Sequence, residues 1–114
     1  MKQIDKIDGS FVEQAHEVIV DVFETHGVFV DRVILFGSRA RGDAKTDSDW
    51  DFCVVINKLI TFPEKNKIIN LIHKKLAHMH QPMDIVIKTL EQMENEVHDW
   101  GYLTPTILEE GVLV

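Results

Sequence analysis

The sequence lacks the features that would place the protein outside the cell or in a membrane. It has a single cysteine, Cys53, so an internal disulfide is excluded. No stretch approaches the roughly 20 apolar residues that a membrane-spanning helix needs. The first five residues lack the apolar core of a signal peptide. We therefore expect a cytoplasmic protein with no membrane association.

Basic residues are also scarce. Lysine and arginine together number 12, against 19 aspartates and glutamates, and the formal net charge is −7. Proteins that bind nucleic acid normally present a basic surface, so direct nucleic-acid binding is not expected. If an acidic chain binds an anionic substrate, it needs metal ions or locally placed arginines to do so.

Length and apolar pattern predict one α/β domain that covers residues 1–114. A chain of 114 residues has room for a single hydrophobic core, and no repeat or linker divides it. Strand-like segments lie at residues 29–36, 50–56 and 83–87, and helix signals begin near residues 10, 61, 89 and 104. This order predicts a sheet flanked by helices, with residues 50–56 as a central strand.

A glycine-serine turn directly follows the first predicted strand. Glycine lets the backbone approach phosphate oxygens closely, and amides at a helix start attract anions. The Ser38 hydroxyl can donate a further hydrogen bond, and Arg39 and Arg41 add positive charge nearby. Gly37 to Arg41 therefore form a candidate phosphate site. Taken alone, Gly37-Ser38 is better explained as a plain turn capped by serine.

Two aspartates stand where the next predicted strand begins. Residues two apart in a strand point to the same face, so Asp49 and Asp51 are expected to project together. Two neighbouring carboxylates repel each other unless a cation neutralises them, and Mg²⁺ prefers such oxygens. The pair is a candidate metal site, and a pair of solvated aspartates is the alternative.

A third aspartate interrupts the last predicted strand. Asp84 lies in the otherwise apolar segment 83–87. A carboxylate buried there without a partner would cost free energy, so we expect Asp84 to face a site. A solvent-facing aspartate or one paired with an arginine is the alternative.

The combined spacing resembles that of a known enzyme superfamily. A Gly-Ser turn, ten intervening residues, an Asp-x-Asp pair and a later third aspartate resemble the DNA polymerase beta-type nucleotidyltransferases. Residues 39–43 and 48–51 are similar to the minimal nucleotidyltransferase branch of that superfamily. The resemblance extends from about residue 12 to the C-terminus. It implies a small nucleotidyltransferase fold, with a mixed β-sheet flanked by helices.

The resemblance also implies roles for the turn. Gly37 and Ser38 would hold the β- and γ-phosphates of a nucleoside triphosphate, with ATP as the expected substrate. Arg39 and Arg41 match arginines that often stand beside this motif, and we assign them to nucleotide binding as well.

The three aspartates are the catalytic and metal-binding residues that the resemblance implies. Asp49 and Asp51 would ligate two Mg²⁺ ions. Asp84 would ligate one of these ions and help to deprotonate the attacking hydroxyl group. All three acidic positions are filled, which favours an active enzyme.

The expected function is transfer of a nucleoside monophosphate, AMP from ATP, to a hydroxyl acceptor. The resemblance implies an antitoxin of a toxin-antitoxin system that adenylylates a partner HEPN-type toxin protein. One alternative is a non-catalytic binding module that masks its partner. Another is an enzyme that modifies a small molecule, which the absence of an acceptor-binding domain disfavours. The acceptor, the base preference, the number of nucleotides added and the oligomeric state stay open.

Other noticeable residues are assigned to structure. Cys53 lies inside an apolar strand and is expected to be a buried thiol. His73, His78 and His80 lack the four-residue helical spacing of paired metal ligands, and we expect them to face solvent. The apolar C-terminus, residues 112–114, is expected to add an edge strand or to dock on another chain.

Overall fold

The centre of the fold is a mixed β-sheet, seen in a computed structural model that describes residues 2–3 and 9–114. Its five strands follow the order β1-β5-β2-β3-β4. Strand β2 runs antiparallel to both β3 and β5, whereas the β3–β4 and β1–β5 pairs are parallel. The strand bounds are β1 Lys2–Gln3, β2 Val30–Phe36, β3 Trp50–Ile56, β4 Met83–Thr89 and β5 Val112–Leu113.

The three long strands agree with the sequence-based prediction, with one extension. Strand β3 lies between β2 and β4, which confirms its predicted central place. Strand β4 continues two residues beyond Ile87, because Lys88 and Thr89 pair with the end of β3. The charged residues Asp31 and Arg32 coincide with a shift of register between β2 and β3.

The helices begin close to the predicted positions. They are α1 Gly9–Thr25, α2 Ser38–Arg41, α3 Phe62–Leu76, α4 Leu90–Glu96 and α5 Thr104–Glu110, and a short 3₁₀ helix covers Ala77–Met79. Helix α4 ends at Glu96. The predicted caps Thr61 and Thr89 accept hydrogen bonds from the backbone amides three residues later. Within residues 9–114, none of these helices has the length and apolarity needed to cross a membrane.

Hydrophobic cores cover both faces of the sheet. Helices α1 and α3 pack on one face, through side chains such as Ile19, Phe23 and Ile72. On the other face, Ile107 of α5 and Met93 of α4 pack on apolar side chains of β2 and β3. Alternation along β3 therefore sends Trp50 and Phe52 to one core and Cys53 to the other, leaving Asp51 on the α4–α5 face.

The C-terminus joins the sheet, as the sequence predicts, although not as an edge. Strand β5 pairs with β2 on one side and with β1 on the other. The two residues of β1 are too few and too polar for an apolar pattern to reveal them. Gly111 ends α5 with an extended rather than a left-handed backbone. Glycine is needed there because a Cβ would collide with the Ile107 carbonyl and the Ile34 side chain.

Cys53 is fully buried in β3, as the sequence predicts. Burial raises the pKa of its thiol to about 12. Because the thiolate is the reactive form, we expect alkylating reagents to leave Cys53 unmodified in the native protein at neutral pH. Mass spectrometry should show full labelling only after unfolding in denaturant, which serves as the control. Rapid labelling of the native protein would contradict this burial.

Candidate functional site

The glycine-serine turn links the end of β2 to the single turn of α2. Gly37 has φ 77° and ψ −163°, a combination that is accessible essentially to glycine alone. The backbone amides of Ala40 and Arg41 each donate to the Gly37 carbonyl at 3.0 Å, which closes the helical turn. Gly42 ends α2 in the left-handed conformation. The predicted turn after the first strand is thus confirmed, and it continues into one helical turn.

Gly37 packs directly against one of the predicted metal ligands. Asp51 pairs with Phe36 across β2 and β3, so its carboxylate lies beside the glycine that follows. A Cβ atom at Gly37 would collide with Asp51 Oδ2. The absence of a side chain at Gly37 therefore brings the turn and the carboxylate into contact.

The three aspartates lie at the same end of the sheet. Asp51 and Asp84 are directly paired across the parallel strands β3 and β4. Asp49 precedes Asp51 by two residues, at the end of the loop that leads into β3. Asp49 and Asp84 are exposed and Asp51 is half-buried, so Asp84 avoids the burial that its apolar strand would otherwise impose. Asp84 is exposed because it lies near the start of the last strand of the sheet.

Burial and the charged side chains at this end of the sheet shift the pKa of Asp51. Burial raises the pKa of Asp51, and the carboxylates of Asp84, Asp49 and Glu110 raise it further. Arg41 acts in the opposite direction and lowers it. The carboxylates therefore repel one another in the absence of a cation.

These side chains fit a magnesium ion that binds together with a substrate. Within residues 9–114, no group of three or more histidine, cysteine or acidic side chains is arranged to hold a metal ion by itself. Mg²⁺ commonly takes only one or two carboxylates and completes its shell with waters and substrate phosphates. The like-charge repulsion at Asp51 is the kind that a divalent cation relieves.

Arg39 holds the loop that carries Asp49. Its Nη2 donates to the carbonyls of Ser48 at 3.0 Å and Thr46 at 3.1 Å, and its Nε donates to Ser48 at 3.3 Å. Its guanidinium carbon also lies 4.5 Å from the centre of the Trp50 ring. The sequence assigns Arg39 to nucleotide binding, and in the structure its guanidinium makes these contacts within the protein.

Arg41 is paired with two carboxylates. Its Nη1 lies 3.1 Å from Glu110 Oε2, and its Nε lies 3.2 Å from Asp43 Oδ2. The hydrogen bonds that Arg41 donates to Glu110 and then to Asp43 raise the pKa of Arg41. Glu110 also accepts a hydrogen bond of 2.9 Å from the Gly37 amide. Sequence reasoning missed Glu110, because no local signal separates it from the neighbouring Glu109.

An open cleft of about 580 Å³ adjoins the aspartates on the β4 side. Asp49 and Asp84 lie in its wall, and both belong to the predicted site. The rest of the wall comes from the end of α3 and the segment before β4, namely His73, Leu76, Ala77 and residues 80–83. The predicted exposure of His73 and His80 is confirmed. Both histidines line the same cleft as Asp49 and Asp84.

Comparison with known families and proteins identifies the family and the fold. Residues 17–102, well over half of the chain, match the family described as "Polymerase beta, Nucleotidyltransferase". A 42-residue segment is 50% identical to "Putative protein adenylyltransferase MJ0141" of Methanocaldococcus jannaschii. That segment covers 37% of this chain and 42% of the relative, so less than half of the relative is matched.

Two solved structures share the fold at low sequence identity. One, described as "Structure of putative minimal nucleotidyltransferase", has a TM-score of 0.60 at 23% identity, over 97% of this chain and all of that chain. The other, a crystal structure of a toxin-antitoxin with AMP-PNP, has a TM-score of 0.58 at 15% identity, over 85% and 69% of the two chains. The predicted α/β nucleotidyltransferase fold, a mixed sheet flanked by helices, is confirmed.

Proposed function

The chain belongs to the polymerase beta nucleotidyltransferase family, and from this premise we propose that it transfers AMP from ATP to a hydroxyl group of a partner protein. The observation that carries the proposal is the contact between the glycine-serine turn and Asp51, with Asp49 and Asp84 beside it. One end of the sheet thus brings together the turn proposed to bind phosphate and a set of carboxylates.

In this proposal the turn binds the leaving part of the triphosphate. Ser38 is only partly buried, so its hydroxyl and the outer side of α2 can meet phosphate oxygens. Arg41 is exposed and can add positive charge there. Arg39 contributes by holding the loop that carries Asp49, through the carbonyls of Thr46 and Ser48.

The aspartates are proposed to hold two Mg²⁺ ions that arrive with the triphosphate. When bound, such ions lower the pKa of an attacking hydroxyl group and neutralise charge on the departing pyrophosphate. Asp51, half-buried between the turn and β4, would ligate both ions, and Asp49 would complete the pair of ligands. Asp84 would ligate one ion and accept the proton of the hydroxyl group, since its carboxylate faces solvent at the cleft.

The strand order favours one direction of approach for the acceptor. In-line displacement at phosphorus needs the attacking oxygen and the leaving oxygen on opposite sides. In the strand order β2-β3-β4, the glycine-serine turn lies on the β2 side of Asp51 and the cleft lies on the β4 side. The hydroxyl group is therefore proposed to enter from the cleft beside Asp49 and Asp84, which is open enough to admit a side chain of another protein.

The proposed acceptor is a toxin protein of the HEPN type, with this chain as the antitoxin. The curated relative is named as a protein adenylyltransferase, and a structural neighbour is part of a toxin-antitoxin. The formal charge of −7 disfavours nucleic acid as the acceptor. These observations support a protein acceptor, and the HEPN type rests on the sequence resemblance.

The test is transfer of label from α-labelled ATP, with Mg²⁺, to the purified product of the adjacent gene. We expect label on that partner with the wild-type chain and none with a chain carrying both Asp49→Asn and Asp51→Asn. Chelation of Mg²⁺ should also abolish transfer. A parallel reaction with γ-labelled ATP should leave the partner unlabelled, because pyrophosphate departs.

The masking alternative predicts a different result in the same experiment. If the doubly substituted chain still binds and inhibits the partner, and the wild-type chain transfers no label, the chain acts by covering its partner. That outcome would overturn the catalytic proposal while leaving family membership intact.

A further inference from the structure

The carboxylate of Glu110 contacts the glycine-serine turn at both of its ends. Its Oε1 accepts a hydrogen bond of 2.9 Å from the Gly37 amide, at the N-terminal side of α2. Its Oε2 pairs at 3.1 Å with Arg41 Nη1, from the last residue of α2. The Glu110 side chain is only 18% exposed. A residue 73 positions away in sequence therefore contacts the turn at its two ends.

The position of Glu110 is set by the sheet itself. Glu110 is the last residue of α5, and the next residue, Gly111, packs without a side chain against Ile34 of β2. Strand β5 follows at once and pairs with β2 at Ile34 and Leu35. The turn leaves the end of the same β2 strand, so Glu110 and Gly37 are both anchored to one strand.

We propose that Glu110 is a positioning residue for nucleotide binding, which holds the Gly37 turn and the Arg41 side chain in the geometry that receives the triphosphate. The inference rests on the proposed function, because it assumes that the turn binds phosphate. It assigns a role to the C-terminal helix, which neither the family match, over residues 17–102, nor the sequence motifs include.

The physical need for such a contact follows from the turn. Gly37 has no side chain to restrict its backbone, and it adopts a conformation that few residues can reach. Hydrogen bonding of its amide to a fixed carboxylate restrains the conformation before substrate arrives. Pairing with Arg41 restrains a long, otherwise mobile side chain in the same way. Preorganised groups lose less entropy on binding, which favours affinity.

The opposite interpretation of the same contact is that Glu110 blocks phosphate binding. A carboxylate on the Gly37 amide and on Arg41 occupies donors that a phosphate oxygen could use, and its negative charge lies near Asp51. The burial of Gly37 favours positioning, because its amide points into the protein towards α5, whereas Ser38 and Arg41 are the accessible parts of the turn. The two interpretations predict opposite changes in affinity.

The test compares Mg·ATP binding by calorimetry in the wild-type chain, Glu110→Ala and Glu110→Gln. Glu109→Gln is the matched control, since it removes the same charge from the exposed neighbouring residue. We expect Glu110→Ala to weaken binding by about tenfold or more, the usual scale for supporting residues of a site. Glu110→Gln keeps an oxygen for the Gly37 amide and should lose less, and Glu109→Gln should bind like the wild type.

The kinetics separate positioning from a general structural role. In the labelling reaction, the Glu110 variants should show a raised KM for ATP with a smaller change in kcat, at a temperature where each is fully folded. Unchanged or tighter Mg·ATP binding by folded Glu110→Gln and Glu110→Ala would overturn the inference alone. A wild-type chain that does not bind Mg·ATP would overturn the proposed function and this inference together.

Discussion

Replacing Asp51 with asparagine should abolish nucleotidyl transfer and at the same time stabilise the folded protein near neutral pH. The carboxylate is proposed as a ligand of both metal ions, so its loss should lower the rate by about a thousandfold or more. Asparagine has nearly the same shape and no charge, so it removes the repulsion from Asp84, Asp49 and Glu110. Activity and stability should therefore change in opposite directions.

The sign of the pH dependence follows from the raised pKa of Asp51. A carboxyl group with a higher pKa in the folded state binds its proton more tightly there than in the unfolded chain. In the wild-type protein this group therefore costs stability as the pH rises through the ordinary carboxyl range to the folded pKa, and the cost persists at higher pH. Asp51→Asn removes that cost, so the two proteins should differ most near neutral pH and converge under acidic conditions.

Thermal unfolding over a range of pH, together with the labelling assay, checks this prediction. Asp21→Asn makes the same chemical change on the exposed side of α1 and should alter neither transfer nor the pH dependence. Asp49→Asn should also abolish transfer while leaving the protein folded. A variant Asp51→Asn that transfers label at nearly the wild-type rate would refute the proposed metal site. One that is less stable than wild type near neutral pH would refute the electrostatic argument.

Gly37→Ala should also eliminate activity, but here stability is lost as well. The alanine Cβ would collide with Asp51 Oδ2, so the turn and the carboxylate must move apart. The backbone conformation of Gly37 adds strain of about 1–3 kcal/mol for any other residue. Displacement of about 1 Å at a reacting centre can cost about a hundredfold in rate, so we expect at least that loss of transfer.

Gly27→Ala is the matched control for backbone strain. Gly27 follows the end of α1 and has the same φ of 77°, but a Cβ there would meet no atom within 4 Å. It should lose stability through strain alone, about 1–2 kcal/mol, and keep normal Mg·ATP binding. Denaturant unfolding and calorimetry measure both quantities. Equal losses of stability and unchanged binding in the two variants would show that contact between Gly37 and Asp51 is unimportant.

Features that depend on neighbours in sequence were predictable. The continuous apolar run of β3 and the spacing of buried residues in α1 are local patterns, so the longer helices and strands were found near their true bounds. The caps Thr61 and Thr89 act on amides three residues away. The Gly-Ser turn and the Asp49-x-Asp51 pair are also local patterns, and their fixed separation was sufficient for the family to be identified.

Asp84 shows what local reasoning indicated and what it left open. Its interruption of an apolar segment marked it as a residue that faces a site, and the parallel pairing of β3 and β4 puts it opposite Asp51. The structure leaves its side chain exposed rather than buried. The strand pattern could not show which strand would lie at the rim of the sheet.

The sequence alone therefore determined the longer helices and strands, the candidate carboxylates and the family, because each depends on periodicity or on a fixed spacing along the chain. Only the tertiary structure placed Glu110 on the Gly37 amide, directed Arg39 to the Thr46 and Ser48 carbonyls, and gave Gly111 its packing role. Contacts between residues far apart in sequence depend on how strands pair and helices pack. A single sequence carries no periodic signal for such contacts, since many pairings satisfy the same local pattern.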